Sequence, residues 1–449
     1  MDIYDLIFTP IFLIFLIFIL VIIRTKSIKD PILKKHFIRI ALLKVFGALS
    51  LGLMYQFYYK GGDTFTFYKL NVVHFYEAFF DSPSIFMQML FYQSRTPFPS
   101  ESFEYLSAVF SSQDAPSMTV IKIASVVSLF CGNIYSIIAI LFGMFALSGS
   151  VALYNTFIKI YPQLSKVFIY IIFYIPSVIF WSSGLLKDTI TFGSLGWFIF
   201  GFYRLVIQKE KIVQSLIIII LSALIIKSVK MYILMAFFPA ALIWMFLIYI
   251  ENIKSIATKM LLVPIMVVIA LGCGLVGSNY IAKEDSRYEL ENISGTLKVT
   301  NEYLTSTTKI QNGSVYDLGV TDFSPLGLLK IFPNAVFVTL FRPFVWECRN
   351  AQMLLSGFES LLFMFYTFTI IKKIGLVKFF LIAKLNPSVA AFLIYSLVFA
   401  FSVGLSSGNF GTLVRYKIPM LPFYLAALFI AQYEYKRMFT KMTTNDKSF

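Results

Sequence analysis

Apolar runs of 16 to 23 residues recur from one end of the chain to the other, and the connectors between them alternate between short basic ones and longer ones of mixed charge. A helix needs roughly 20 mostly apolar residues to cross the hydrocarbon core. In lipid the backbone must also satisfy its own hydrogen bonds, which leaves helices as the form for such runs. The pattern therefore predicts an all-α, polytopic transmembrane helix bundle of about 11 spans, at 6–23, 40–58, 134–156, 167–182, 187–206, 212–227, 231–250, 260–280, 351–371, 386–404 and 418–434. Two further apolar stretches, 118–131 and the Pro-interrupted 331–346, are short for a span. They read as interfacial or re-entrant helices on the outer face, where irregular backbone is tolerated if it lines a cavity.

Charge sorts the connectors. Segments 24–39, 157–166, 204–211, 251–259, 372–385 and the C-terminal tail fall on one side under alternation, and together hold 21 of the 38 Lys/Arg but only 5 of the 23 Asp/Glu. The opposite side holds 16 Lys/Arg and 17 Asp/Glu, and Lys44 and Glu359 fall inside spans. Basic residues concentrate on the cytoplasmic side of membrane proteins. This rule sets the N-terminus outside and the C-terminus in the cytoplasm. Counting 118–131 as a span would reverse every later loop and spoil the sorting.

Composition narrows the class. Only 14% of residues are charged, against about 25% in soluble domains. The 50 Phe and 26 Tyr suit lipid-facing and interfacial surfaces. A net charge of +15 might suggest nucleic acid, but its distribution in short loops beside apolar runs is the positive-inside signature, so no nucleic-acid partner is expected. Cys131, Cys273 and Cys348 have neither disulfide-framework nor zinc spacing, and His36 and His74 are the only histidines; no metal site and no cofactor is expected. The first run lacks a basic n-region and a small-residue cleavage site, so it reads as a span instead of a signal peptide. The whole chain, 1–449, reads as one integral membrane domain, with the hydrophilic 281–330 as an outer loop or lid.

The outer connectors carry the unusual polar groups. Lys60-Gly61-Gly62-Asp63, continuing to Tyr68, follows the second span. Gly61 and Asp63 suit a helix C-cap followed by an N-cap; among apolar walls Asp63 also suits a general base. Lys187-Asp188 opens a span after a very short connector, and two charges entering an apolar run are costly. Lys227 and Lys230 divide the next two spans. Arg342-Pro343-Phe344-Val345-Trp346-Glu347-Cys348-Arg349 sets two arginines and a carboxylate among aromatic rings, and Arg is suited to bidentate phosphate binding. Gly408 and Gly411 precede Arg415 and Lys417 in the last outer loop. Together these motifs predict one outer pocket containing both basic and acidic groups.

Through Gly61-Gly62-Asp63…Tyr68, Gly184…Lys187-Asp188, Arg342-Pro343-Phe344…Glu347 and Gly411-Thr412…Arg415-Tyr416…Pro419 the chain resembles the Wzy-like oligosaccharide repeat-unit polymerases and the GT-C glycosyltransferases. The resemblance implies a bacterial inner membrane, a polyprenyl diphosphate-linked oligosaccharide as partner, and a chain-length regulator or flippase alongside. The expected chemistry is sugar transfer on the periplasmic face. Lys187, Arg342, Arg349, Arg415 and Lys417 would stabilise the leaving diphosphate, with Trp346 and Tyr68 against the sugar. Asp63, or alternatively Glu347 or Asp188, would take the acceptor proton. The competing expectations are a single-sugar transferase and a transporter or lipid-linked oligosaccharide flippase, since intramembrane charges mark transport paths.

Overall fold

The computed structural model describes residues 1–251, 299, 314–319 and 325–445. The predicted span 260–280 and most of the predicted lid 281–330 lie outside the described residues. Among the described residues the chain is all-helical, with one isolated bridge, Val315 to Asn409. Eight helices are long and apolar enough to cross a membrane, or nine if Phe410–Tyr416 and Leu421–Met438, bent by 64°, form one broken span. The chain folds as two compact units, Met1–Tyr232 and Ile233–Phe449.

The first unit begins with α1 (Ile3–Lys26) and α2 (Pro31–Leu53). Asp30 caps α2 by accepting from Leu33 N at 2.7 Å, with Pro31 preset for the first turn. Short helices α3 (Asp63–Phe67), α4 (Val73–Asp81), α5 (Pro83–Phe91) and α6 (Phe103–Ala108) follow, then α7 (Ala115–Phe130). At 16 residues α7 fails the length requirement for crossing, as its sequence predicts. The long α8 (Tyr135–Ile160) begins beside both the start of α1 and the far end of α2's span. Asp5 accepts from Ser136 N at 2.8 Å, and the N-terminal ammonium donates to Gln56 at 2.6 Å. At the other end of the unit Tyr154 donates to Asp30 at 2.9 Å.

α11 (Lys187–Phe202) runs parallel to α8. Gly143 packs on Ser183, Gly149 on Gly193 and Gly196, Trp197 donates to Ser148 at 3.0 Å, and Lys159 donates to Gln208 at 3.0 Å. Two parallel neighbours require the chain between them to run back. That return is made by α9 (Ser165–Phe173), α10 (Pro176–Trp181) and the irregular residues 182–186. The predicted continuous span 167–182 is thus a broken one. Pro176 disfavours helical geometry at Ile175 and interrupts the run; Ile175 is extended, with ψ 121. The same register sets Lys187 about one turn, roughly 6 Å, below the Tyr135 end of α8. α12 (Ile212–Lys230) returns antiparallel to α11, with Ser215 near Gly201 at one end and Lys230 on Asp188 at the other.

The second unit contains α13 (Tyr232–Glu251, from its second residue onward), α14 (Pro325–Phe341), α15 (Ala351–Ile374), α16 (Leu376–Leu385), α17 (Pro387–Ser407), α18 (Phe410–Tyr416) and α19 (Leu421–Asn445). Asn350, Asn386 and Asn409 cap α15, α17 and α18 through side-chain oxygens. α14 is antiparallel to α17: Ala335 packs on Gly404, and Thr339 donates to Ala400 O at 2.8 Å. Its end, Arg342, sits level with Ser360, nine residues or roughly 13 Å into α15. Residues 342–350 then climb back to the start of α15. α14 with this return forms a hairpin whose tip is Arg342.

Candidate functional site

Each unit holds its own polar cluster. In the first unit the turn before α3 needs glycine: Gly62 has φ +112, and a Cβ there would lie 2.7 Å from the Tyr55 ring. Asp63 is the first residue of α3 and is exposed among the described residues. Tyr68 is half-buried and its hydroxyl donates to Asn133 O at 2.5 Å; burial pushes its phenol pKa up. Its polar tip anchors the loop before α8, and its ring meets Tyr135 edge-on at 5.4 Å.

Lys187 pairs with Asp114 at 3.0 Å and lies 6.0 Å from the Phe67 ring, which brings the Asp63–Phe67 helix beside the start of α11. Burial would raise the Asp114 pKa. The Ser117 hydroxyl and the Lys187 ammonium outweigh it, and the carboxyl ends below its ordinary value of 3.8. Asp188 is 1% exposed and is bound by Lys230, 8% exposed. Beside this pair the Thr189 hydroxyl is fully buried with no hydrogen-bond partner among the described residues. Of the three carboxylates named as candidate bases, Asp188 is therefore a buried member of an ion pair and Asp63 is exposed.

Sequence reasoning passed over Lys44. It lies at the middle of the span Pro31–Tyr58, only 2% exposed, and donates to Ser182 Oγ, to Ser182 O at 3.2 Å and to Val178 O at 3.4 Å. These oxygens end the half-helix α10, so the ammonium caps a helix C-terminus inside the span. The signal was present: one lysine in an otherwise apolar run is expensive and rarely incidental.

In the second unit Arg342 forks onto Glu347. Nε donates at 3.0 Å, and a terminal nitrogen binds the other carboxylate oxygen. Glu347 also accepts from Phe344 N at 2.8 Å, closing the turn that follows the cis Arg342–Pro343 bond. The guanidinium lies 5.0 Å from the Phe410 ring and 6.0 Å from Phe344, a stacking contact that Arg makes readily. Lys417, 1% exposed, donates to Arg342 O and Ser360 Oγ, each at 3.3 Å. It is a buried strut in this structure, although its sequence position suggested an outer loop. Trp346 is 78% exposed and stacks on Phe344 at 4.8 Å. Arg349 is exposed and Arg415 half-buried; both have further interactions.

Residues 314–316 pair with 408–410 through Phe410 N to Ser314 O and Tyr316 N to Gly408 O, each 3.2 Å. Ser314 also donates to Glu347 O at 3.0 Å. This short pairing ties the turn before α18 to the Arg342–Glu347 turn. Burial pushes the Tyr316 phenol pKa up, and its hydroxyl donates to Gly404 O at 2.7 Å. Among the described residues no group of three or more His, Cys, Asp or Glu is placed to hold a metal ion.

Of the predicted site residues, the first unit gathers Lys187, Asp188 and the segment carrying Asp63 and Tyr68. The second gathers Arg342, Glu347, Trp346 and Lys417. No family model, no curated protein and no solved structure matches this chain.

Proposed function

We propose that the protein is an envelope enzyme that transfers a saccharide from a polyprenyl diphosphate-linked donor at the outer membrane face, polymerising surface-polysaccharide repeat units. The observation that carries this reading is the hairpin of α14 and residues 342–350 in the second unit. It holds Arg342 roughly 13 Å inside α15, stacked on Phe410 and forked onto Glu347, with Trp346 exposed on Phe344. Charges at membrane depth are costly and are associated with function. Irregular backbone there is tolerated where it lines a cavity. A guanidinium suits a diphosphate, and a broad exposed aromatic face suits the apolar face of a sugar ring. Release of the diphosphate leaves negative charge on the departing oxygen, which the arginines stabilise. The acceptor hydroxyl loses its proton to a carboxylate, assigned to Glu347 because it stands in the same turn as Arg342.

The test is reconstitution of the purified chain in liposomes with a lipid-linked repeat unit. A ladder of longer saccharides is expected, lost in Glu347→Gln and Arg415→Ala while both variants remain inserted and monodisperse. Full-length ladders from both variants would end these assignments.

A second reading, movement of a lipid-linked saccharide across the bilayer, is favoured by the first unit's broken return and by Lys44 at mid-span. Transbilayer movement of the intact donor, with no ladder, would select it.

A further inference from the structure

The first unit contains a groove of about 840 Å³ with no part in the reading above. It lies between α1 and α11 with α8 as its floor. Its wall is apolar, built from Leu20, Ile23, Leu147, Val151, Trp197 and Phe200. Along α8 it runs from Leu141 to Ile158, roughly 26 Å, longer than the roughly 15 Å of hydrocarbon in one leaflet. Its volume falls within the roughly 300–1,000 Å³ of small-molecule sites.

The rim is different in kind. It lies at the unit's basic end and presents Lys29, Lys159, Arg204 and Lys211 against Asp30 and Glu210. Asp30 is occupied by Leu33 N and the Tyr154 hydroxyl. Among the described residues the Lys159 side chain is held only by the neutral Gln208, and the Arg204 guanidinium only by the face of the Phe200 ring at 5.1 Å. The side chains of Lys29 and Lys211 make no hydrogen bond or ion pair among the described residues. Four cations without a carboxylate partner thus meet at the mouth of an apolar trough. The Asn155 side chain also lines the trough, with no hydrogen bond among the described residues.

We infer that this groove is a binding site for one anionic phospholipid, with its phosphate at Arg204, Lys211 and Lys29 and an acyl chain along α8. The charge complementarity selects an anionic headgroup over a zwitterionic one. The trough supplies the apolar contact that keeps a single lipid in place where the surrounding bilayer exchanges freely.

The experiment uses the full chain, delipidated in detergent and titrated with phosphatidylglycerol or with phosphatidylcholine of the same acyl chains, read by native mass spectrometry. One phosphatidylglycerol per protein should bind at least tenfold more tightly than phosphatidylcholine. The double variant Arg204→Ala/Lys211→Ala should lose that preference, Arg204→Lys should keep it, and Val151→Trp should fill the trough and lose the bound lipid. Lys436→Ala/Arg437→Ala, outside the groove, should bind as the parent does, and every variant is compared only where its melting temperature matches the parent's. Equal retention of the two lipids, or an undiminished preference in the Arg204/Lys211 variant, would overturn the site. Displacement of phosphatidylglycerol by an equimolar polyprenyl phosphate would overturn the phospholipid as its occupant.

Discussion

Replacing Gly149 by alanine tests whether α8 and α11 are locked in the register that sets the depth of Lys187. A Cβ on Gly149 would stand 2.0 Å from Gly193 O, and one on Gly196 would stand 2.0 Å from Gly149 O, where ordinary contact begins near 3.4 Å. The obstacles are backbone oxygens in helices, so no rotamer change relieves them. One helix must move by at least about 1.4 Å, the difference between those distances. A gap of 0.5–1 Å already forfeits a quarter to a half of each dispersion contact along the seam, and overpacking in a core costs about 1–3 kcal/mol. Membrane helices associate chiefly through such close packing of small residues. Each substitution should therefore cost about 2–3 kcal/mol, or roughly 5–10 °C for a unit of this size. The assay is thermal loss of the monodisperse peak on size-exclusion chromatography in detergent. Gly411→Ala is the control, because its Cβ would meet only Asn409 Oδ1, at an ordinary 3.4 Å. Parent-like melting of both Gly149→Ala and Gly196→Ala would refute the close parallel seam and, with it, the depth assigned to Lys187.

Three further outcomes are expected. Asp188→Ala and Lys230→Ala should each destabilise by about 3–5 kcal/mol, and Asp188→Ala/Lys230→Ala by less than the sum, because each single change takes a buried charge's ion-pair partner away; denaturation in mixed micelles of rising SDS content reads this. The Asp114 carboxyl is held below 3.8, so its tie between α7 and α11 persists at neutral pH and loosens only as acid carries the solution below that value. Lys187→Met removes the tie, so the part of the acid-induced fall in melting temperature that it contributes should disappear, measured by the pH dependence of melting. Burial pushes the Cys131 thiol up to about 11, so its maleimide labelling should be slow at neutral pH and climb steadily toward pH 11, unlike that of an exposed reference thiol.

The parts of the fold written in local pattern were legible from the sequence. The apolar runs 134–156, 187–206 and 386–404 fall on α8, α11 and α17, and 118–131 and 331–346 fall on helices shorter than the candidate spans. The basic connectors 24–39, 157–166 and 204–211 share one end of the first unit, where Tyr154 meets Asp30 and Lys159 meets Gln208. The break in 167–182 was signalled by Pro176, yet an apolar run reads the same whether it is one helix or two half-helices. Pairings between distant residues carry no local trace: Asp188 meets Lys230 across 42 residues, and Asp114 meets Lys187 across 73. A single sequence could name those four charges as notable or ordinary, but not as partners. Burial was equally hidden. Lys417 and Arg415 stand two residues apart in the chain, and only the first is sealed in the interior.

The broken return between α8 and α11 also constrains how the chain is made. Neither the nine residues of α9 nor the six of α10 can cross hydrocarbon unaided, and the polar end of α10 has Lys44 and the flanks of α2 and α8 as neighbours. A nascent chain halted at residue 186 should leave this stretch outside the lipid. It should thread only when α11 and α12 emerge and draw it in. Glycosylation-site tags placed beyond successive stop points would reveal that delay as a topology that changes with chain length, so the order of synthesis, and not hydrophobicity by itself, decides when the third crossing is followed by its return.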